Sequence, residues 1–312
     1  MTSTLPARPA SGTTARRLEW QFLPPHIRAL VEEHCGSPVV RADSQGGGFT
    51  PGFASVLTCE DGTQHFVKAA SVKAQRMFAL SYREEARKLG VLQELVPAPR
   101  LLWSHDDDWV VLGFEYVDAH LPARPWQRPD LDRLLDALEA VADVEAPADL
   151  ALDLIEEDLA DLPAYWDVIR ERHPSLAHAD EAADLAAGFA EALRGGAVQH
   201  TDIRDDNTLL GTDGALWICD WNWPVLGAPW FDTLSALIGP RGDGLDVEAV
   251  LASRRLTRDV PPAHVDSALA LLAGHFLKSA DDPVPSNSPH MRASQAWQGA
   301  AVWSWLSERR NW

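Results

Sequence analysis

The stretch from Val198 to Asp232 reads VQHTDIRDDNTLLGTDGALWICDWNWPVLGAPWFD, and its reading decides the fold. Two short apolar runs, Thr208–Leu210 and Ala215–Cys219, flank the turn Gly211-Thr212-Asp213-Gly214, which predicts a β-hairpin. His200, Asp202, Arg204 and Asn207 stand just before the first strand, and Asp220 just after the second. A hairpin that folds back on itself brings Asn207 and Asp220 side by side, with Asp202 one loop turn away. Two carboxylates and an amide oxygen meeting in a strand-held loop suit a hard divalent cation together with a general base.

HTDIRDDN followed by ICDW resembles the signature of the aminoglycoside phosphotransferase and choline kinase group, His-x-Asp-x-x-x-x-Asn and then an Ile-Asp-Trp/Phe step. The resemblance implies a protein-kinase-like, two-lobed α+β fold. Its small N-terminal lobe is an antiparallel sheet with one helix, and its larger C-terminal lobe is mainly helical. It also implies Mg2+-dependent transfer of the γ-phosphate of ATP, or of GTP, to a hydroxyl of a small molecule. Carried over by position, Asp202 is the base, and Asn207 and Asp220 are the metal ligands. Arg204 stands where the group usually carries His, Lys or another polar residue. It either neutralises charge on the transferred phosphoryl group or pairs with Asp205 or Asp206. His200 and Asp232 are expected to be structural, one packing under the turn, the other bracing the loop from the next helix. Thr201 replaces the usual Gly or Arg.

Upstream, Gln45–Gly52 reads QGGGFTPG between two predicted strands, and glycines let a backbone approach phosphates closely. The resemblance makes Gly46, Gly47 and Gly48 part of a flap over the nucleotide, and Lys68 in FVKAA the phosphate-binding lysine. A predicted helix, Ala79–Leu95, offers Glu84 and Glu85 as its partner. Glu85 shares a stripe with Phe78, Tyr82, Leu89 and Leu92, whereas Glu84 pairs at i,i+4 with Lys88 in a surface arrangement. A carboxylate on a buried stripe requires a cation, so Glu85 is the expected partner. Gly113–Asp118 (GFEYVD) reads as a hinge, and the resemblance puts backbone groups near Glu115 and Val117 against the purine edge.

The remaining strands are predicted at Pro38–Ala42, Phe53–Cys59, Gln64–Ala69, Arg100–Ser104 and Trp109–Val117, a short helix at Leu18–His34, and mostly helix from Asp130 onward. Expected divisions are a floppy tail over 1–17, a nucleotide-binding lobe over 18–112, a hinge over 113–118 and a C-terminal lobe over 119–312. Trp217 is expected in the core, and Trp223 against the acceptor.

Composition narrows the function. A net charge of −19 argues against a nucleic-acid partner and is compatible with a cationic substrate. The longest apolar runs fall short of a membrane span. Cys35, Cys59 and Cys219 match neither a zinc spacing nor a disulfide framework, which fits a reducing cytoplasm. The rivals are a protein kinase and a catalytically dead nucleotide-binding module. Too few residues separate Asp220 from Asp232 for an activation loop, and no residue of the motif is missing. Acceptors in the resembling group include aminoglycosides and other antibiotics, choline-like alcohols, amino acids and sugars.

Overall fold

In the computed structural model, which describes residues 5–8, 15–48 and 52–312, alternating apolar and polar residues set the first third of the chain into strands. Helix α1 (Pro25–Cys35) precedes β1 (Val39–Ser44), β2 (Phe53–Cys59) and β3 (Gln64–Ser71). Helix α2 (Arg76–Leu92) then leads to β4 (Leu101–Asp106) and β5 (Trp109–Glu115). The five strands form one antiparallel sheet in the order β1-β2-β3-β5-β4.

Helices cover both faces of this sheet. Ile27 and Val31 of α1 pack on Leu57, Val67 and Val111. On the opposite face α2 sets Ala79, Tyr82, Leu89 and Leu92 against Ala70, Leu112 and Phe114. Burial on both sides explains why β3 reads as a nearly continuous apolar run interrupted by Lys68. The helix predicted at Leu18–His34 divides in two. Trp20–Phe22 is a separate 3-10 turn, because Pro24 is extended (φ −54°, ψ 144°) and Pro25 fits only at a helix start.

A short strand, β6 (Ala119–His120), opens the larger lobe, followed by α3 (Arg128–Ala142). Strand β7 (Ala197–Gln199) leads into the predicted hairpin, which forms as β8 (Thr208–Gly211) and β9 (Leu216–Ile218). Strand β10 (Val225–Gly227) returns to pair with β7, and β6 joins β8. The loop from His200 to Asn207 is thus strung between strands at both ends. Behind it, the helix Pro262–Ala280 is buried without a break from Val265 to Gly274, the pattern of a helix enclosed by others. Its buried Asp266 is paired with Arg309 (2.6 Å) and Arg310 (3.2 Å) of the helix Met291–Arg310. Trp166 crosses it closely, with Nε1 donating to Ala270 O at 3.0 Å.

Candidate active site

The His200–Asn207 loop is held by Asp232, at the start of the helix Phe231–Ala236. The carboxylate of this buried residue accepts the backbone N–H groups of His200 (2.5 Å) and Thr201 (2.9 Å). That grip fixes Thr201 at φ +68°, a left-handed conformation that is costly for a β-branched residue. His200 is fully engaged: Nδ1 accepts from Asp202 N–H at 3.2 Å and Nε2 donates to Cys219 O at 2.8 Å. Both nitrogens support the loop, and neither is left for proton transfer. Cys219 N–H donates to Asn207 O at 2.8 Å, so the two ends of the hairpin lie side by side. Asn207 Nδ2 donates to Asp202 O (2.9 Å) and to Asp202 Oδ2 (3.2 Å). With the nitrogen so committed, Oδ1 is the amide atom left for a cation.

Lys68 projects from β3 onto the α2 side of the sheet. Its Nζ donates to Glu85 Oε1 and Oε2 at 2.7 and 2.9 Å and also to Asp220 Oδ1. Burial disfavours the ammonium, yet Asp220 and Glu85 outweigh it and raise the Lys68 pKa above the ordinary lysine range. Asp220 lies below the usual carboxylate range, because Lys68 more than offsets its burial. Glu85 lies above that range, dominated by burial. Asp220 itself sits at φ +66°, tolerable for an aspartate.

Two of the cavities that meet at this loop border Asn207 and Asp202, respectively. A cleft of about 660 Å³ between the lobes is lined by Gly47, Gly48, Lys68, Glu115, Val117, Asn207 and Asp220. That volume falls within the usual span for small-ligand sites. A second cavity, about 290 Å³, is lined by Asp202 and Arg204 together with Ile238, Leu272, His275, Phe276 and Gln295. The Asn207–Asp202 contact at 3.2 Å is the junction between them.

Other expected residues fall differently. Arg204 pairs with Asp206 (2.9 Å) and with Asp202 (3.0 Å), while Asp205 turns away to Arg124 and Arg8. Glu115 uses its N–H on Arg100 O and its carboxylate on Arg100 N–H, both at 2.9 Å. Its N–H is therefore spent within the sheet, and Val117 lies beyond the strand end. Gly46 is not among the described residues lining the cleft, and Phe49–Pro51 of the flap lie outside the described residues. Lys88 is not on the surface: it is 4% exposed, with Nζ donating to Asn222 O at 3.3 Å. Trp223 covers that lysine (5.8 Å to the ring centroid), is 49% exposed and lines neither cavity. Trp217 is half-buried rather than core.

The structure adds residues that the sequence did not announce. His275 borders the smaller cavity, and its buried Nδ1 has no hydrogen-bond partner among the described residues. Its burial pushes the imidazole below the usual histidine pKa. The only available signal was a single polar ring in the apolar run ALALLAGHFL. Arg8 and Arg17 come from the segment expected to be a loose tail, of which residues 5–8 and 15–17 are described. Arg8 bonds Asp205 and Asp243, both at 2.9 Å, and Arg17 donates to Gly47 O at the cleft rim.

A sheet lobe and a helical lobe with a charged crevice between them define the protein-kinase-like fold, and solved structures share it over almost the whole chain. Choline kinase LicA from Streptococcus pneumoniae is similar with a TM-score of 0.57 at 14% identity, over 88% of this chain and 99% of its own. Spectinomycin phosphotransferase APH(9)-Ia, in complex with ADP and spectinomycin, gives 0.63 at 14% identity over 91% and 98%. A thermostable mutant of aminoglycoside phosphotransferase APH(4)-Ia, with AMP-PNP and hygromycin B, gives 0.62 at 13% over 91% and 98%. No protein-family model and no curated protein sequence matches the chain. The fold is thus that of the aminoglycoside phosphotransferases and choline kinase, as the HTDIRDDN and ICDW segments implied.

Proposed function

We propose that the protein transfers the γ-phosphate of ATP or GTP to a hydroxyl of a small molecule. The observation that carries this reading is the position of Asp202, on the wall between a nucleotide-sized cleft and a separate smaller cavity. In this reading the hydroxyl enters from the smaller cavity, and Asp202 orients it and takes its proton. Lys68, fixed by Glu85, grips the nucleotide phosphates. Gly47 and Gly48 close over them, with Gly46 supporting the flap, and the backbone at Glu115 and Val117 borders the base. Arg204, held against Asp202 and Asp206, adds positive charge where the phosphoryl group passes. The Asn207 amide oxygen and the Asp220 carboxylate are hard donors of the kind magnesium takes, and they are the residues that would hold it. That ion supplies charge neutralisation on the phosphates.

The lining of the smaller cavity supports an acceptor with an apolar body and few charges. Among the described residues Asp202 is its one lining carboxylate, offset by Arg204, and the rest of that lining is apolar or uncharged polar. A polycationic acceptor would meet a single compensated charge there, despite the net −19 of the chain. His275, whose Nδ1 lacks a partner among the described residues, is the lining side chain proposed to read an acceptor group. The test is magnesium-dependent ADP or GDP release across neutral antibiotics, amino alcohols, sugars and aminoglycosides, with product phosphorylation checked by mass. Acceptor-dependent release supports the reading. Nucleotide binding with no phosphorylated product across the panel contradicts it.

A further inference from the structure

Two cysteines and a histidine that phosphotransfer leaves unused meet on the outer face of the small lobe. Cys35 closes α1, Cys59 ends β2 and His65 lies near the start of β3. Their ligand atoms all lie within 4.8 Å of one another. No spacing along the chain announced this set, because packing α1 over the β2–β3 hairpin is what assembles it. His65 and Lys68 point to opposite faces of β3, so the cluster is separate from the cleft.

A second observation concerns His65 alone. Both of its ring nitrogens are buried, and neither has a hydrogen-bond partner among the described residues. A neutral imidazole carries one donor and one lone pair, and leaving such groups unmet in an interior costs about 1–3 kcal/mol apiece. Cys59 is buried and Cys35 half-buried, and burial together with the neighbouring Cys59 pushes the Cys35 thiol up to about 12. The two sulfurs thus face a ring whose polar atoms are unsatisfied.

We infer that Cys35, Cys59 and His65 form a binding site for a thiophilic divalent cation of the zinc class, with a fourth position taken by water. Two thiolates and an imidazole suit such an ion, whereas magnesium prefers oxygen. Zn–S and Zn–N bonds in a tetrahedral site imply ligand separations of roughly 3.5–3.8 Å, so the set closes by about 1 Å through side-chain rotation. Binding displaces one proton from each thiol, and two thiolates against a dication leave the buried site neutral. The ion would pin the end of α1 to the sheet.

The test uses the full-length, reduced protein titrated with Co2+ and Zn2+ against a competing chelator. The expected result is one ion per chain, a thiolate-to-cobalt charge-transfer band and a Zn2+-dependent rise in Tm of several degrees. Cys35→Ser, at the half-exposed position, should lose the band, and His65→Gln should weaken Zn2+ binding by roughly tenfold or more. Cobalt bound without the thiolate band, a band that survives Cys35→Ser, or no uptake at all would overturn the assignment. So would closure of Cys35 and Cys59 to a disulfide that forms equally well in the presence of excess Zn2+.

Discussion

Lys68 shows how one side chain can be tuned by two carboxylates of opposite tendency. Glu85 is buried and reluctant to ionise, whereas Asp220 is held ionised, and the ammonium bridges them. Glu85→Gln should leave Lys68 drawn to Asp220 alone. Nucleotide KM is expected to rise about ten- to hundredfold, the worth of one lost charge-assisted hydrogen bond, measured by steady-state kinetics. On the proposed reading, Asp202→Ala is expected to lower kcat by roughly two to four orders of magnitude through loss of the base. Near-native turnover on the true acceptor would show that Asp202 is not that base. The pairing of Lys68 with Glu85 rather than Glu84 was legible in the sequence, because helical periodicity alone separates the two. The burial of Lys88 was not, because it depends on Asn222 and Trp223, which come from the far side of the hairpin.

The loop between β7 and β8 depends on its brace. Asp232→Ala removes two charge-assisted hydrogen bonds and leaves the N–H groups of His200 and Thr201 unmet. A stability loss of about 3 kcal/mol in urea unfolding is expected, accompanied by a fall in turnover. Thr201→Gly has the opposite sign: relief of the left-handed backbone should add about 1 kcal/mol in the same measurement. Asp205 makes a pH prediction. Burial opposes its charge, but Arg124 and Arg8 hold its pKa below the ordinary aspartate value. Its contribution is therefore full above the unfolded value near about 3.9 and is lost as pH falls through the lower folded value. Asp205→Asn should cost about 3 kcal/mol at pH 7, and the gap from wild type should close as pH falls through and below that lowered folded value. A gap that persists there would contradict the ion-pair account. At this scale the five strands of the small lobe and the hairpin were readable to within a few residues, since pleat alternation and turn glycines are local signals, whereas β6, β7 and β10, two or three residues each, were not. Helix starts were less so, as Pro25 shows.

Across the whole molecule the chain is strongly acidic, and the cations near the crevice face carboxylates: Lys68 meets Glu85 and Asp220, Arg204 meets Asp202 and Asp206, and Arg124 and Arg8 meet Asp205. ATP with Mg2+ at a hundredfold excess over its Kd should stabilise the protein by about 2.7 kcal/mol, read as a rise in Tm. Lys68→Ala should abolish most of the shift at the same concentration. The smaller cavity was invisible in the sequence, because its wall joins the Phe231–Ala236, Pro262–Ala280 and Met291–Arg310 helices, and no periodicity says which helices meet. Arg8 and Arg17 were equally hidden, since a polar Ser- and Pro-rich segment carries no signal of where it docks. Their docking has a practical consequence. An affinity handle fused to the N-terminus would be tethered close in sequence to Arg8, which pairs with Asp205 of the His200–Asn207 loop, so rates should be compared before and after the handle is cleaved.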